Sequence, residues 1–265
     1  MQYLQFFGLT HSPLDKKAPA LWDDGALTVL KQRFQWLLES PGIGMLIGEP
    51  GVGKTAALRA ICQTANPHRY KTIYLPETDF GRLDIYRALA IALGLQPAYR
   101  RSTLWRDIKH HLLDMADNKR LQPVWIIDEA QNLPPEFFRD FPAFLNFAFD
   151  SRDIITVWLV GHPGLANLIN RAPYTALKSR IQASVRLEPA IDRERFGQLI
   201  EHAFKQAGCA HNLLSDSAIE RLRQASRGIP RIAGNLLKRA LQLAADKGIN
   251  HIPDDILEQA MEELR

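Results

Sequence analysis

One stretch constrains this chain more than any other: Gly48-Glu49-Pro50-Gly51-Val52-Gly53-Lys54-Thr55, a glycine, four free positions and then Gly-Lys-Thr. The apolar Gly44-Met45-Leu46-Ile47 before it reads as a buried strand, and Thr55-Ala56-Ala57-Leu58 after it as the start of a helix. Between a strand and a helix, such a loop turns successive backbone N–H groups inward and adds the positive end of the helix, which together hold phosphate. Gly51 and Gly53 let the backbone approach without a side chain in the way. Lys54 is placed to reach the β- and γ-phosphates and the Thr55 hydroxyl to ligate Mg²⁺. The expected ligand is therefore ATP with Mg²⁺, bound along Gly48, Glu49, Pro50, Gly51, Val52, Gly53, Lys54, Thr55 and Ala56.

Around this loop the apolar pattern alternates between strand and helix. Residues 71–75, 124–127 and 154–160 read as further strands, with helices over 83–93 and 103–115 between them. With the strand before the loop this makes four, and alternation of this kind predicts a three-layer α/β core with a parallel sheet covered on both faces. Residues 1–40 form a lead-in: an apolar start, a Pro-interrupted stretch, then a helix carrying Leu27, Leu30, Phe34, Leu37 and Leu38. The core is expected over 41–190. From about Ile191 helical patterns follow one another (193–207, 215–226, 229–245, 253–263), which predicts a small all-helical lid domain over 191–265.

Val124-Trp125-Ile126-Ile127-Asp128-Glu129 is the second signature: an apolar strand that delivers two carboxylates at the carboxyl end of the sheet, where ligands bind in open α/β folds. Asp128 is expected to hold Mg²⁺ through water, and Glu129 to act as the general base on the attacking water. His162, at the end of the next strand, is a candidate for contact with the γ-phosphate and the lytic water. Arg180 is the candidate for a cation projected into a neighbouring subunit's nucleotide, with Lys178 second and Arg186 read as a surface residue. Arg231, in Gly228-Ile229-Pro230-Arg231, is the candidate for reporting nucleotide state to the lid.

Composition narrows the setting. A hydrophobic fraction of 46 % supplies a sizeable core, and a net charge of +4 is a mild basic bias compatible with an anionic partner. Cys62 and Cys209 lie far apart without paired spacing, so neither disulfides nor zinc are expected. No apolar run approaches the ~20 residues of a membrane span, and Met1-Gln2-Tyr3-Leu4-Gln5 lacks the basic start of a secretion signal; a soluble, cytoplasmic protein is expected.

With these residues assembled, the chain resembles the ExeA/TniB-type branch of the AAA+ ATPases, kin to transposition helpers of the TnsC, MuB and IstB kind. The resemblance runs from Phe6-Phe7-Gly8-Leu9 and Pro13 through the loop, Asp128-Glu129-Ala130-Gln131-Asn132-Leu133, Leu159-Val160-Gly161 and Arg180-Ile181 to Gly228-Ile229-Pro230-Arg231. The sequence departs from the family pattern at Leu14, Ala56 and His162. The resemblance implies a homo-oligomeric ATPase, ring or helical filament, with nucleotide at the subunit interface. Two roles are open within it. One is a regulator of DNA transposition that coats duplex DNA with ATP and recruits or activates a transposase, with a target-selection protein as a possible further partner. The other is a cytoplasmic ATPase assisting secretion-pore assembly.

Secretion relatives carry a membrane span after the ATPase, and this sequence stops at Arg265 after the helical segment, so the DNA role is the expectation. A basic segment agrees, and in TnsC-like filaments this part of the fold faces the DNA backbone. Arg82, Arg100, Arg101, Ser102, Thr103 and Lys109 are the candidate phosphate contacts, with Trp105 read as core. A nucleotide switch that does not hydrolyse is the third reading, and Glu129 and Arg180 speak against it.

Overall fold

The computed structural model describes residues 2–16, 18, 20–76, 81–209, 211 and 213–264, which divide into two compact units. One comprises Gly25–Gly48 and Ala57–Leu187, the other Met1–Asp24, Glu49–Ala56 and Glu188–Arg265.

The first unit is α/β. Its sheet has five strands, β1 (Ile43–Gly48), β2 (Tyr70–Leu75), β3 (Gln122–Ile127), β4 (Thr156–Gly161) and β5 (Ile181–Leu187), all parallel in the order β2-β3-β4-β1-β5. The central strands are near-continuous apolar runs because helices cover them on both faces, and every residue of β4 is buried. The sequence reading found four strands and missed β5. Its Ile-Gln-Ala-Ser-Val-Arg-Leu alternates buried and exposed at the sheet edge, a weaker signal than the solid apolar runs.

On one face the helix Ala26–Glu39 buries Leu30, Phe34, Leu37 and Leu38, and Phe34 stacks on Trp158 at 5.5 Å between centroids. Gly44 is required there, since a Cβ would meet the Trp158 ring at 2.7 Å. The opposite face holds an aromatic cluster of Tyr86, Trp105, Trp125, Phe137, Phe141 and Phe144, with centroids 4.7 to 6.5 Å apart. Much of it comes from the helix Pro135–Phe144, which carries Pro142 inside it and which the sequence reading left unassigned.

The second unit is helical: Gln2–Phe6, Arg193–Gln206, Asp216–Ser226, Pro230–Asp246 and Asp254–Glu263. Asp192 and Ser215 cap two of these helices through the backbone N–H groups of Arg195 and Ala218, and Pro230 occupies the first turn of a third. Their apolar faces meet in a core that includes Phe196, Leu222, Leu237, Leu241 and Leu257, which Tyr3 and Leu9 join. The lead-in is thus divided: residues 2–24 belong with the helical unit, and the helix Ala26–Glu39 with the α/β unit. Both cysteines are free thiols, and burial pushes the Cys62 thiol up to about 11. Among the described residues no helix is long and apolar enough to cross a membrane.

Candidate nucleotide-binding site

The glycine-rich loop takes the backbone its sequence demands. Gly51 (φ 91°) and Gly53 (φ 106°) both lie in the left-handed region, and the Val52 N–H donates to the Glu49 carbonyl at 3.3 Å. Lys54 is buried, its ammonium donating to the Glu49 carbonyl at 3.2 Å, while Thr55 is exposed one residue along. Lys54 also opens the helix Lys54–Thr64, so the positive end of that helix sits on the loop.

Within the same unit the Gly-Ile-Pro-Arg run lies against the loop. The Arg231 N–H donates to the Gly51 carbonyl at 3.2 Å. A Cβ on Gly51 would meet Arg231 Cβ at 2.8 Å and Ile229 Cγ2 at 3.0 Å, so Gly51 is fixed by close approach as well as by its dihedral. Gly228 is held similarly: at φ 69°, with Ala190 donating to its carbonyl, a side chain there would strike the Ala190 carbonyl at 2.4 Å.

In the α/β unit the carboxylates stand where β3 ends. Asp128 is buried; the Tyr74 hydroxyl donates to its Oδ2 at 2.9 Å and the Glu129 N–H to its Oδ1 at 2.9 Å. Glu129 is exposed and left-handed at φ 50°, a conformation a glutamate adopts only when its surroundings enforce it.

The residue the sequence reading passed over is Gln131, quoted there inside a motif and given no role. Its Nε2 donates to Glu129 Oε2 at 2.8 Å, and its Oε1 accepts the His162 N–H at 3.2 Å. One amide thus ties the end of β3 to the residue that follows β4. Gly161 makes room for it, since a Cβ there would meet Gln131 Oε1 at 2.3 Å. The link spans 31 residues, and no local pattern announces it. His162 Nδ1 accepts the Gly164 N–H at 2.9 Å and caps the helix Pro163–Ile169. With Nδ1 an acceptor, the neutral ring carries its proton on Nε2 and offers a donor there.

Arg180 makes a two-pronged pair with Asp150, both N···O distances 2.8 Å, while Lys178 and Arg186 are exposed. Two of the candidate phosphate-contact residues converge: Arg82 at 2.6 Å and Arg101 at 3.1 Å both pair with Asp140. The Arg101 guanidinium also lies 4.1 Å over the Trp105 ring, and Trp105 is packed against the core. Lys109 donates to the carbonyls of Ala143 and Asn146 at 3.2 and 2.8 Å, and burial lowers its pKa. Arg100 and Ser102 are exposed at the start of the helix Arg101–Asp117, and Thr103 is half-buried.

Comparison with known proteins fits this geometry. A family model described as "AAA domain" matches residues 37–169. General secretion pathway protein A of Aeromonas hydrophila is 27% identical over 94% of this chain, which spans 46% of that protein's length. The Holliday junction branch migration complex subunit RuvB of Koribacter versatilis is 25% identical over 91% of this chain and 67% of its own length. The structure of the Aeropyrum pernix ORC2 protein in its ADPNP–ADP complexes superposes with a TM-score of 0.70 at 17% identity, covering 94% of this chain and 70% of that one; this is a likeness of fold.

Proposed function

Because the chain belongs to the AAA domain family of ATPases, we propose that it hydrolyses ATP with Mg²⁺ between copies of itself and acts on duplex DNA as a regulator of transposition. The loop fits the nucleotide on its own geometry. Its two left-handed glycines leave a cradle without side chains, and the buried Lys54 and the helix start at that residue supply positive charge. Bound there, ATP and Mg²⁺ would supply an activated phosphoryl group and neutralise its charge. Residues 48–56 would hold the phosphates, and Thr55 and Asp128 would be the metal ligands. Glu129 would take the proton from the attacking water, its carboxylate held by the Gln131 amide. His162 presents its Nε2–H as a donor to the same chemistry. Arg231, whose backbone already rests on Gly51, couples the loop to the helix Pro230–Asp246. Arg180 acts on the nucleotide of a neighbouring copy.

The observation that carries the DNA partner is the convergence of Arg82 and Arg101 on one carboxylate, with Arg100 and Ser102 exposed nearby in the chain. Two guanidiniums against one carboxylate leave the cluster net positive, which suits a phosphate backbone and reads no sequence. The name of the RuvB relative, a branch migration subunit, is in keeping with work on DNA. A second reading, assistance to secretion-pore assembly, draws on the Aeromonas relative.

The test is duplex DNA binding at graded salt with a slowly hydrolysed ATP analogue, with ADP and without nucleotide, followed by microscopy of each sample. ATP-dependent coating of DNA regardless of sequence is the expected result. Assembly driven by nucleotide with no DNA affinity even at low salt would overturn it in favour of the secretion reading.

A further inference from the structure

Between Phe147 and Arg152 the backbone runs through the left-handed region for three residues in succession. Ala148, Phe149 and Asp150 are consecutive non-glycine residues at φ 47°, 57° and 63°, all left-handed. L-residues resist that region singly and rarely occupy it in a run. At the apex Phe149 is fully exposed, with a relative accessibility of 103%.

Both shoulders of the turn are fastened. Phe147 is buried, with the Lys109 ammonium 5.1 Å over its ring, and it bridges to Arg152 across the turn. The Ser151 hydroxyl donates to the Ala148 carbonyl at 2.6 Å, and Arg152 grips Asp117 through both nitrogens at 2.6 and 3.3 Å. A strained conformation persists only when its surroundings over-determine it, and this one is held from both sides. What the strain achieves is visible in two side chains: Phe149 stands out in solvent, and Asp150 is turned onto Arg180.

We infer that the 147–152 turn is a docking surface for a second copy of this chain, with Phe149 as its anchor and Asp150 holding Arg180 in a resting pair until that copy arrives. The inference rests on the reading above, in which Arg180 serves a neighbour's nucleotide. Charge complementarity identifies the occupant. A guanidinium held by one carboxylate can be exchanged onto an anion of higher charge, and the triphosphate bound by another copy is such an anion. The resting pair is suited to exchange because water reaches it: the side chain of Arg180 is 28% exposed and that of Asp150 49%, so solvent screens the pair and a more highly charged anion can compete for the guanidinium. Beside it lies a polar cleft of about 380 Å³, lined by Phe147, Asp150, Asp153, Ser179, Arg180 and Gln182, with room for side chains of the incoming copy. An exposed aromatic beside the group to be transferred is the kind of residue that anchors interfaces.

The decisive variant is Phe149→Gly in the full chain. Glycine adopts φ 57° without strain, so this variant folds at least as readily as the wild type, and a loss of assembly is not a loss of fold. Assembly is followed by sedimentation velocity with a slowly hydrolysed ATP analogue, and affinity by fluorescent-nucleotide titration. The expected result is a shift of the assembly midpoint to about tenfold higher protein concentration with unchanged nucleotide affinity. Asp150→Asn, which releases Arg180, is expected to move the midpoint the other way and to raise turnover in dilute protein about threefold.

Assembly of Phe149→Gly at the wild-type concentration would overturn the anchor, and unchanged dilute turnover of Asp150→Asn would overturn the resting pair. Mixing Arg180→Ala with Glu129→Gln subunits separates this inference from its premise. Recovered activity in the mixture, with Phe149→Gly assembling at the wild-type concentration, means that only the docking surface is wrong. No recovery removes the action of Arg180 on a neighbour, and the inference with it.

Discussion

Two parts of the α/β unit carry candidate catalytic side chains, and they are built in opposite ways. Where β3 and β4 end, the polar groups are fastened by the chain itself: Tyr74 on Asp128, Gln131 on Glu129 and on the His162 backbone, His162 on its own helix. At the 147–152 turn the polar pair Asp150–Arg180 is open to water and sits beside an aromatic with no cover. Fixed geometry suits a group whose task is to aim a proton acceptor, because orientation then costs nothing at the moment of reaction. A water-exposed pair on a strained turn suits a group that has to change partners. The first set of groups is fastened within one chain; the second is the one proposed to change partners when another copy docks.

The largest expected effect tests that division directly. Arg180→Ala should lower ATP turnover by about 10³-fold, the scale on which a cation acting on the transferred phosphoryl group operates. Turnover should return when the variant is mixed with Glu129→Gln subunits, which are themselves slow but carry an intact arginine. Steady-state hydrolysis of the mixture decides the matter, and flat activity across all ratios would show that Arg180 works within its own chain. Next in size, Glu129→Gln alone should lose about 10²-fold in kcat while keeping ATP affinity, as expected for removal of a general base. Undiminished turnover would assign that role elsewhere.

Gln131 sharpens the comparison. Gln131→Ala leaves Glu129 in place and removes one hydrogen bond to its carboxylate, so kcat should fall about tenfold with ATP affinity unchanged, a loss of aim rather than of binding. Gly161→Ala should resemble it, because the added methyl would land 2.3 Å from Gln131 Oε1. A structural role alone would lower thermal stability and nucleotide affinity together. Mixtures add a second readout. Gln131→Ala should be rescued by Arg180→Ala subunits and not by Glu129→Gln subunits, since Gln131 and Glu129 serve one site from one chain. Rescue by Glu129→Gln would break the contrast between the two regions.

These contrasts also mark where the sequence was legible. The glycine-rich loop, the apolar runs of β1, β3 and β4, and the helical patterns after Ile191 are local signals, and each element formed where its pattern lay. β5 escaped because an edge strand alternates Gln182, Ser184 and Arg186 with buried residues and lacks a solid apolar run. The helix Pro135–Phe144 escaped behind the Pro134-Pro135 pair at its start and an internal Pro142. What no window of residues contains is pairing at a distance. Gln131 meets His162 across 31 positions, Asp150 meets Arg180 across 30, and Arg82 and Arg101 meet on Asp140. The residue types were visible; their partners belong to the tertiary fold.

Asp140 supplies the smallest expected effect and extends the comparison to a third cluster. Arg82 and Arg101 are held by it at 2.6 and 3.1 Å, and its side chain is only 18% exposed, so this carboxylate is more sheltered than Asp150. If the cluster is a phosphate contact, Asp140 competes with DNA for both guanidiniums, and Asp140→Asn should strengthen duplex binding. The gain should be a few-fold at low salt, about the size of one added backbone contact, with the slope of log affinity against log salt steepening by about one. Some thermal stability should be lost, because Arg101 then keeps Trp105 but not its carboxylate. The opposite outcome is equally informative. If DNA affinity and salt slope stay fixed while stability falls, the two arginines fasten the helix Arg101–Asp117 to the helix Pro135–Phe144. The cluster would then resemble the fastened ends of β3 and β4 more than the exchangeable pair at Arg180, and the DNA surface would have to be sought among exposed cations such as Arg100.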